Sequence, residues 1–410
     1  KEQLLMKKTS TQLGLLAVSV SLIMASLPAH PPYLARNLTH GLKFGISGSV
    51  NPSLSVNSST FTYLGDSSVY GNNATLERML QDQDRQDSDE RARLNGFGGA
   101  SVYLGAQKYL TRDITLFGNV GLYAPASKGQ RAAYGYGVNL ATKYGSIGIN
   151  TDNEFSAGAG TPSGIYNLVD GSNEYSTAIS VSTSYIPKFK FSAYHALPGS
   201  PDTRSVSSHE NYYIQKAQGL SASYSHPISP NQTLSVGTAY SKSQRHKDFF
   251  SDTAYNNKTA STVGLSYRQG DWSISGNVGQ AKENLHGAII DDITTKAFGT
   301  KISYKVTPRI SVSGTYGQKT TDKNTKPNKR LDIPNIIAQR GGNISSRVHE
   351  SWFFDKTKQK TYGLSASYYI YGGISISASM NQTRTTNFTE EGAYSERKNN
   401  SYRISTGFSF

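Results

Sequence analysis

The chain contains no cysteine, so a disulfide framework, a thiol nucleophile and a Cys-ligated metal site are all excluded. Long apolar runs are missing beyond the N-terminal segment: hydrophobic residues make up 36% and the mean hydropathy is −0.49, so no later stretch can cross a bilayer as a helix. Acidic residues are in the minority, with 28 Asp plus Glu against 42 Lys plus Arg and a formal net charge of +14. Neither G-x-x-x-x-G-K-[ST] nor G-x-S-x-G nor HExxH occurs, which removes the usual phosphate cradle, nucleophile elbow and metalloprotease helix. His195, His209, His226, His246, His286 and His349 fall on different strands or loops without metal-ligand spacing. The adjacent pairs His209-Glu210 and His349-Glu350 read as solvated charges rather than catalytic dyads. No enzyme activity, metal or cofactor is expected.

What the chain has instead is 27 Tyr and 39 Gly amid abundant Ser and Thr, a mixture suited to strands with one wet face. The last ten residues, SYRISTGFSF, show the repeating unit. Tyr402, Ile404, Phe408 and Phe410 share one face of an extended strand, while Ser401, Arg403, Ser405, Gly407 and Ser409 share the other, because side chains alternate with period two. One face suits lipid and the other suits water. A chain ending flush on such a strand fits a barrel whose last strand pairs with its first and leaves no open edge. Its 410 residues could also make two or three soluble domains, so length alone decides nothing.

The start reads as an export signal. Met6-Lys7-Lys8 supplies a basic region, Leu13 to Met24 an apolar one, and Ala25 to Ala29 a small-residue cleavage stretch. Residues 1–29 are therefore expected to be a signal peptide and 30–410 a single barrel domain. With no stop-transfer helix after it, the mature chain either leaves the inner membrane as a soluble protein or enters an outer membrane as strands.

Alternation recurs along the chain. Gly41–Asn57 reads as the first strand, with Leu42, Phe44 and Ile46 against Lys43, Gly45 and Ser47. Strand pairs follow at Arg93–Leu110 and Ile114–Ala124, Arg131–Tyr144 and Ser146–Asp152, Glu174–Ile186 and Lys188–Leu197, Tyr212–Pro227 and Gln232–Gln244. Further pairs are Lys258–Arg268 and Trp272–Glu283, Asp292–Val306 and Arg309–Thr320, Lys360–Ile370 and Gly373–Thr385, and the last strand is Asn399–Phe410. Pro187, Ser229-Pro230-Asn231, Gly270-Asp271, Thr307-Pro308 and Gly372 mark the short turns. The second face is Ser, Gly, Asn, Thr and Lys in nearly every strand, which cannot form the dry core of a sandwich and so must line water. The fold class read from this is all-β: an antiparallel transmembrane β-barrel of about sixteen strands, with short periplasmic turns and long extracellular loops. Trp272, Tyr224, Tyr240, Tyr267, Tyr304, Tyr316, Tyr368 and Phe410 are expected near strand ends, at headgroup level.

Three connections stand apart. Asn73 to Arg91 is a charged, solvated loop, and Asn153 to Asn173 is long and rich in Gly and Ser. Thr321 to Lys358 carries Lys323, Lys326, Lys329, Arg330, Arg340 and Arg347 beside Ile333, Ile336 and Ile337; an ordinary solvated loop, a lumen plug and a partner-binding loop are all open readings.

The basic residues are scattered over the strands rather than clustered on a helix or groove, which argues against nucleic acid as a partner. Alternation places Lys43, Arg93, Arg131, Lys190, Arg268, Lys301, Lys305 and Arg403 on water-facing sides. A basic lumen and contact with anionic outer-membrane lipid, lipopolysaccharide included, both account for the charge.

Here the sequence resembles the general Gram-negative porins, trimeric sixteen-stranded diffusion channels. ARLNGFGGASVYLG at Ala92–Gly105 is similar to that family's second strand, and QRAAYGYGVNLATKYGSIGIN at Gln130–Asn150 to its fourth and fifth. Glu154-Phe155 is similar to the core of the inward-folded third-loop motif, without its Pro and paired Gly, and Phe410 matches the terminal residue that the barrel-assembly machinery recognises. Asn95 is an extra residue in the second-strand pattern, and Ser127–Gln130 is short for the loop that latches neighbouring subunits. The resemblance implies a homotrimer in which Arg93 and Arg131 are basic wall residues at a constriction and Glu154 and Asp170 face them from the third loop. For the two arginines the other reading is strand-end residues reaching headgroups; for the two acids it is a solvated loop. The function expected is passive diffusion of small hydrophilic solutes with a preference for anions. An adhesive or structural barrel and a barrel enzyme are the competing classes.

Overall fold

The computed structural model describes residues 36–38, 42–63, 91–95, 100–111, 113–124, 133–150, 168–169, 178–183, 186, 188–196, 212–247, 255–285, 290–325, 355–389 and 392–409. Residues 1–29, Arg131, Glu154, Asp170 and Phe410 lie outside them. No described helix is long and apolar enough to cross a membrane, which says nothing of strands.

The strands are β1 (Arg36–Leu38), β2 (Leu42–Val50), β3 (Ser53–Tyr63), β4 (Arg91–Asn95), β5 (Ala100–Tyr109), β6 (Ile114–Ala124), β7 (Ala133–Thr142), β8 (Gly145–Asn150), β9 (Ala178–Thr183) and β10 (Phe189–Ala196). They continue as β11 (Tyr212–Ser229), β12 (Gln232–Lys247), β13 (Tyr255–Gln269), β14 (Trp272–Leu285), β15 (Ile290–Thr307), β16 (Ile310–Thr325), β17 (Lys356–Tyr369), β18 (Ile374–Thr389) and β19 (Gly392–Ser409). From β5 to β19 each strand pairs antiparallel with the next. β19 then pairs with β3 from Ser395↔Tyr63 to Ser405↔Ser53 and with β2 at Phe408↔Val50, which closes the sheet. β2 with β3 forms one stave and β4 with β5 another, so the sheet is a closed sixteen-strand antiparallel barrel.

The first stave breaks at Asn51-Pro52, where proline has no N–H to give the ladder. Its carbonyl still accepts from the Thr406 N–H at 3.0 Å. The short β1 pairs Arg36↔Phe44 and Leu38↔Leu42, at the end of β2 away from the Ser49 and Val50 that β19 pairs.

Register fixes the two faces. Leu54, Leu265, Val278, Ile302, Leu364 and Ile404 are all exposed, and they occupy outward positions, as a wall facing lipid requires. On this face Trp272 stacks on Tyr304 with ring centroids 4.3 Å apart. Six residues further along the staves, Phe298 meets Tyr316 at 5.7 Å and Tyr316 meets Tyr362 at 5.2 Å. These are two aromatic rows roughly 20 Å apart along the strand, or about 15 Å of height at the strand tilt of outer-membrane barrels, within the height of their apolar band. Tyr240 and Tyr316 are therefore not at strand ends: they mark the upper girdle, and their strands run on to Lys247 and Thr325. Pairing continues above the girdle because backbone hydrogen bonds do not require a lipid neighbour.

The turn between β17 and β18 holds Gly373 at φ 82°, and its carbonyl accepts from the Ser409 N–H at 3.1 Å. A Cβ there would lie 2.2 Å from the Ser409 carbonyl oxygen, whereas Gly270, at φ 54°, has open space. Gly373→Ala should lower the folded, heat-modifiable fraction in a urea titration by about 2 kcal/mol or more, and Gly270→Ala by about 1 kcal/mol. Equal losses would mean that the last strand is not held against this turn.

Candidate channel and its inner wall

The inward face begins as a row of small hydroxyls. Ser311 bonds Ser367 at 2.7 Å, Ser313 bonds Ser365 at 2.7 Å, Ser377 bonds Ser405 at 2.7 Å and Ser146 bonds Ser182 at 2.8 Å. Each pair satisfies two polar side chains across a ladder and leaves lone pairs for water.

Basic residues punctuate this face. Arg268, Ser273, Ser303, Ser313, Ser365, Ser379, Arg403, Ser55 and Arg93 are successive register partners, from β13 round to β4. Backbone pairing thus sets Arg93 two staves from Arg403 in a single row. Lys301 stands between Ser275 and Thr315, Lys305 opposite Ser311, Lys190 opposite Ser223 and Lys43 opposite Gln107. The Lys43 ammonium also lies 5.2 Å from the Tyr109 ring centroid. Every one of these positions shares the serine-bearing face, in line with the alternation in sequence. Arg131, Glu154 and Asp170 cannot be placed against them, since they lie outside the described residues.

Lys258 and Lys319 occupy the same face nearer the long loops and escaped the sequence reading, and Lys323, expected in the loop, joins them because β16 runs on to Thr325. Lys258 is opposite Glu283 and Lys319 opposite Ala297. Their signal was parity alone: Lys258 is in step with Arg268, and Lys319 with Ser313.

Part of the inner wall is not open to solvent. Ala217, Ala239, Ala260, Ala281 and Ala297, on β11 to β15, are 1–7% exposed, and Ser241 and Thr262 among them are 1% and 2% exposed. Leu168 and Val169, from the connection between β8 and β9, belong to the same buried apolar cluster. A wide barrel leaves its inner side chains in water, so this burial places Leu168–Val169 inside the barrel against a smooth wall. Small side chains are what that seat requires, since a longer one would overlap the inserted pair. This connection is the Gly- and Ser-rich stretch that stood out in the sequence. Its apolar anchor did not: Leu168-Val169 carries no motif.

No protein-family model and no curated protein matches the chain. Solved structures do. An in-vitro folded trimer form of OmpT, an outer membrane protein of Vibrio cholerae, aligns with TM-score 0.55 at 10% identity over 90% of this chain and 100% of its own. The anion-selective porin from Comamonas acidovorans aligns with TM-score 0.51 at 13% identity over 90% and 100%, and the outer membrane channel DcaP of Acinetobacter baumannii with 0.54 at 13% over 92% and 99%. The fold is that of the porin-type outer-membrane barrels, matched across nearly the whole length. Identity at this level carries the fold and leaves the solute unspecified.

Because the chain has no native cysteine, Val169→Cys can be labelled alone. In the folded barrel a water-soluble maleimide should react with it at least about tenfold more slowly than with Lys305→Cys, since buried thiols are inert. Equal rates would remove Leu168–Val169 from the wall.

Proposed function

We propose that this protein is a porin of the bacterial outer membrane, passing small hydrophilic solutes by passive diffusion and favouring anions. The observation that carries this reading is the sign of the charge on the serine-bearing face. Lys43, Lys190, Lys258, Arg268, Lys301, Lys305, Lys319, Lys323 and Arg403 stand there, and among described strand residues Glu283 is their acidic counterpart. One sign of charge on a low-dielectric wall concentrates the opposite ion. The anion-selective porin among the matching structures supports the choice of sign by analogy of fold.

Within this reading Arg93 and Arg131 are the wall side of the constriction and Glu154 and Asp170 its loop side. The buried seat of Leu168–Val169 beside Asp170 supports a loop that narrows the lumen there. The assembly proposed is a homotrimer, in line with the trimer form known for the Vibrio protein, and residues 1–29 are the export signal removed on the way. A barrel enzyme is the weaker reading: His226, on the outward face, stacks on Tyr224 at 6.2 Å and has its Nδ1 3.3 Å from the Tyr224 hydroxyl, a phenol in place of the serine that a lipid-cleaving wall needs.

In planar bilayers under a salt gradient the reversal potential should have the sign of anion preference. Arg268→Glu with Lys301→Glu and Arg403→Glu should abolish or invert it. The preference should fade toward 1 M salt, where the screening length is about 3 Å. Cation preference in the unmodified protein would overturn the selectivity, and absence of conductance would leave an adhesive or plugged barrel.

Phe410 is proposed as the residue read by the barrel-assembly machinery. Its deletion should lower the amount of heat-modifiable barrel in the outer membrane several-fold; unchanged amounts would count against it.

A further inference from the structure

The outward face of β16 to β19 changes chemistry in steps. Lowest is a groove of about 840 Å³ lined by outward apolar side chains, among them Ile302, Val312, Leu364 and Met380, with Gly314, Ala366 and Ala378 as its small residues. The next row up is Tyr362, Gln382, Asn400 and Ser58, successive register partners. Gln382 Nε2 donates to Asn400 Oδ1 at 3.0 Å, and Asn400 Nδ2 to Ser58 Oγ at 3.4 Å. Directly above lie Lys360, Arg384 and Lys398, again register partners across three adjacent strands. From Leu364 to Lys360 is four residues, roughly 13 Å of strand.

Three cations directly opposite one another repel, which a sheet does not adopt for its own stability. Among the described residues the ion pairs touching this patch are Arg384–Glu396 and Lys356–Asp322. The Lys360, Arg384 and Lys398 row is thus left with a single carboxylate. The surface also faces the membrane rather than the lumen, so solute passage gives it no task.

We propose that this surface binds one class of ligand, a phosphate-bearing lipid of the outer leaflet. Its acyl chains fill the groove over Gly314, Ala366 and Ala378, its polar linkage meets the Gln382–Asn400 amides, and its phosphate sits on Lys360, Arg384 and Lys398. The order of apolar, amide and cationic rows matches the order of chain, linkage and headgroup in such a lipid. Cations in a row of this kind neutralise phosphate with charge-assisted bonds, and Arg384 can engage two oxygens at once. The proposal rests on the outer-membrane reading above, with the long loops outward.

The test uses the full folded barrel in a neutral detergent and bisphosphorylated lipid A as probe, with phosphatidylcholine as the uncharged comparison, read by native mass spectrometry. The unmodified protein should retain lipid A in preference to phosphatidylcholine. Lys360→Gln with Arg384→Gln and Lys398→Gln should weaken that retention by about tenfold or more, given about fivefold per cation. Lys242→Gln with Lys282→Gln and Lys296→Gln, the same change of charge on outward positions of β12, β14 and β15, should leave it unchanged. Equal weakening by both triple variants, or none by either, overturns the site. Ala366→Leu with Ala378→Leu should also weaken retention by filling the groove; if it instead dissociates an oligomer seen without lipid, the surface is an interface between copies and the proposal fails. Conductance of the same preparation reads the porin proposal separately, because a barrel that conducts yet retains no lipid contradicts only this inference.

Discussion

Backbone hydrogen bonding in a solvent without water is the constraint on which the rest of this structure depends. An orphaned N–H or C=O in hydrocarbon costs several kcal/mol, so a strand can stay there only if both edges are paired. β19 meets that demand by running along β3 and then pairing Val50 and Ser49 of β2, while β1 pairs Leu42 to Phe44 at the other end of β2. Even the break at Pro52 is placed so that its carbonyl remains bonded to Thr406. Once the sheet is closed, alternation leaves no choice about faces: every second residue is outside and the rest are inside. Leu364 and Ile404 then belong in lipid by the same parity that puts Gly363 and Arg403 inside.

Closure also bears on why the inner wall carries a patch of small residues with basic ones around it. A barrel of this strand number keeps a lumen that side chains alone do not fill. Partway along β11 to β15 the wall carries a patch of small residues, Ala217, Ala239, Ser241, Ala260, Thr262, Ala281 and Ala297, and Leu168–Val169 is seated there. Packing a segment inward on one flank narrows the water-filled space toward the opposite flank, where Arg403 and the backbone of Arg93 lie. Narrowing matters for charge, because at about 0.15 M salt an ion feels a wall charge only within roughly 8 Å.

Much of the architecture was legible in the sequence, and the reason is local. Alternation over Val263–Arg268 or Ile374–Met380 needs no knowledge of any other strand, so strand number, turn positions and the facing of Lys301 or Arg268 could be read directly. What was not legible depends on register between strands far apart in the chain. The Lys360, Arg384 and Lys398 row exists only once three strands are aligned, and in sequence these are three unremarked cations. Strand ends were misplaced for a related reason. The hydrophobic signal stops at the upper girdle while pairing continues, so the strand expected to begin at Asn399 begins at Gly392. Leu168-Val169 was hidden because two apolar residues in a Gly- and Ser-rich connection have no periodicity to reveal their partner.

The central claim is that one face of each stave lies in lipid and the other lines a water-filled, ion-conducting lumen. Single cysteines placed in turn at positions 263 to 268 of β13 test it most directly, with a small cationic thiol reagent added during single-channel recording. The account predicts a period-two result: Gly264→Cys, Ser266→Cys and Arg268→Cys give channels whose current shifts on modification, with slower change at 264 near the covered wall. Val263→Cys, Leu265→Cys and Tyr267→Cys give channels that do not respond. A response at every position, or at the second set alone, would contradict the assignment of faces and with it the channel.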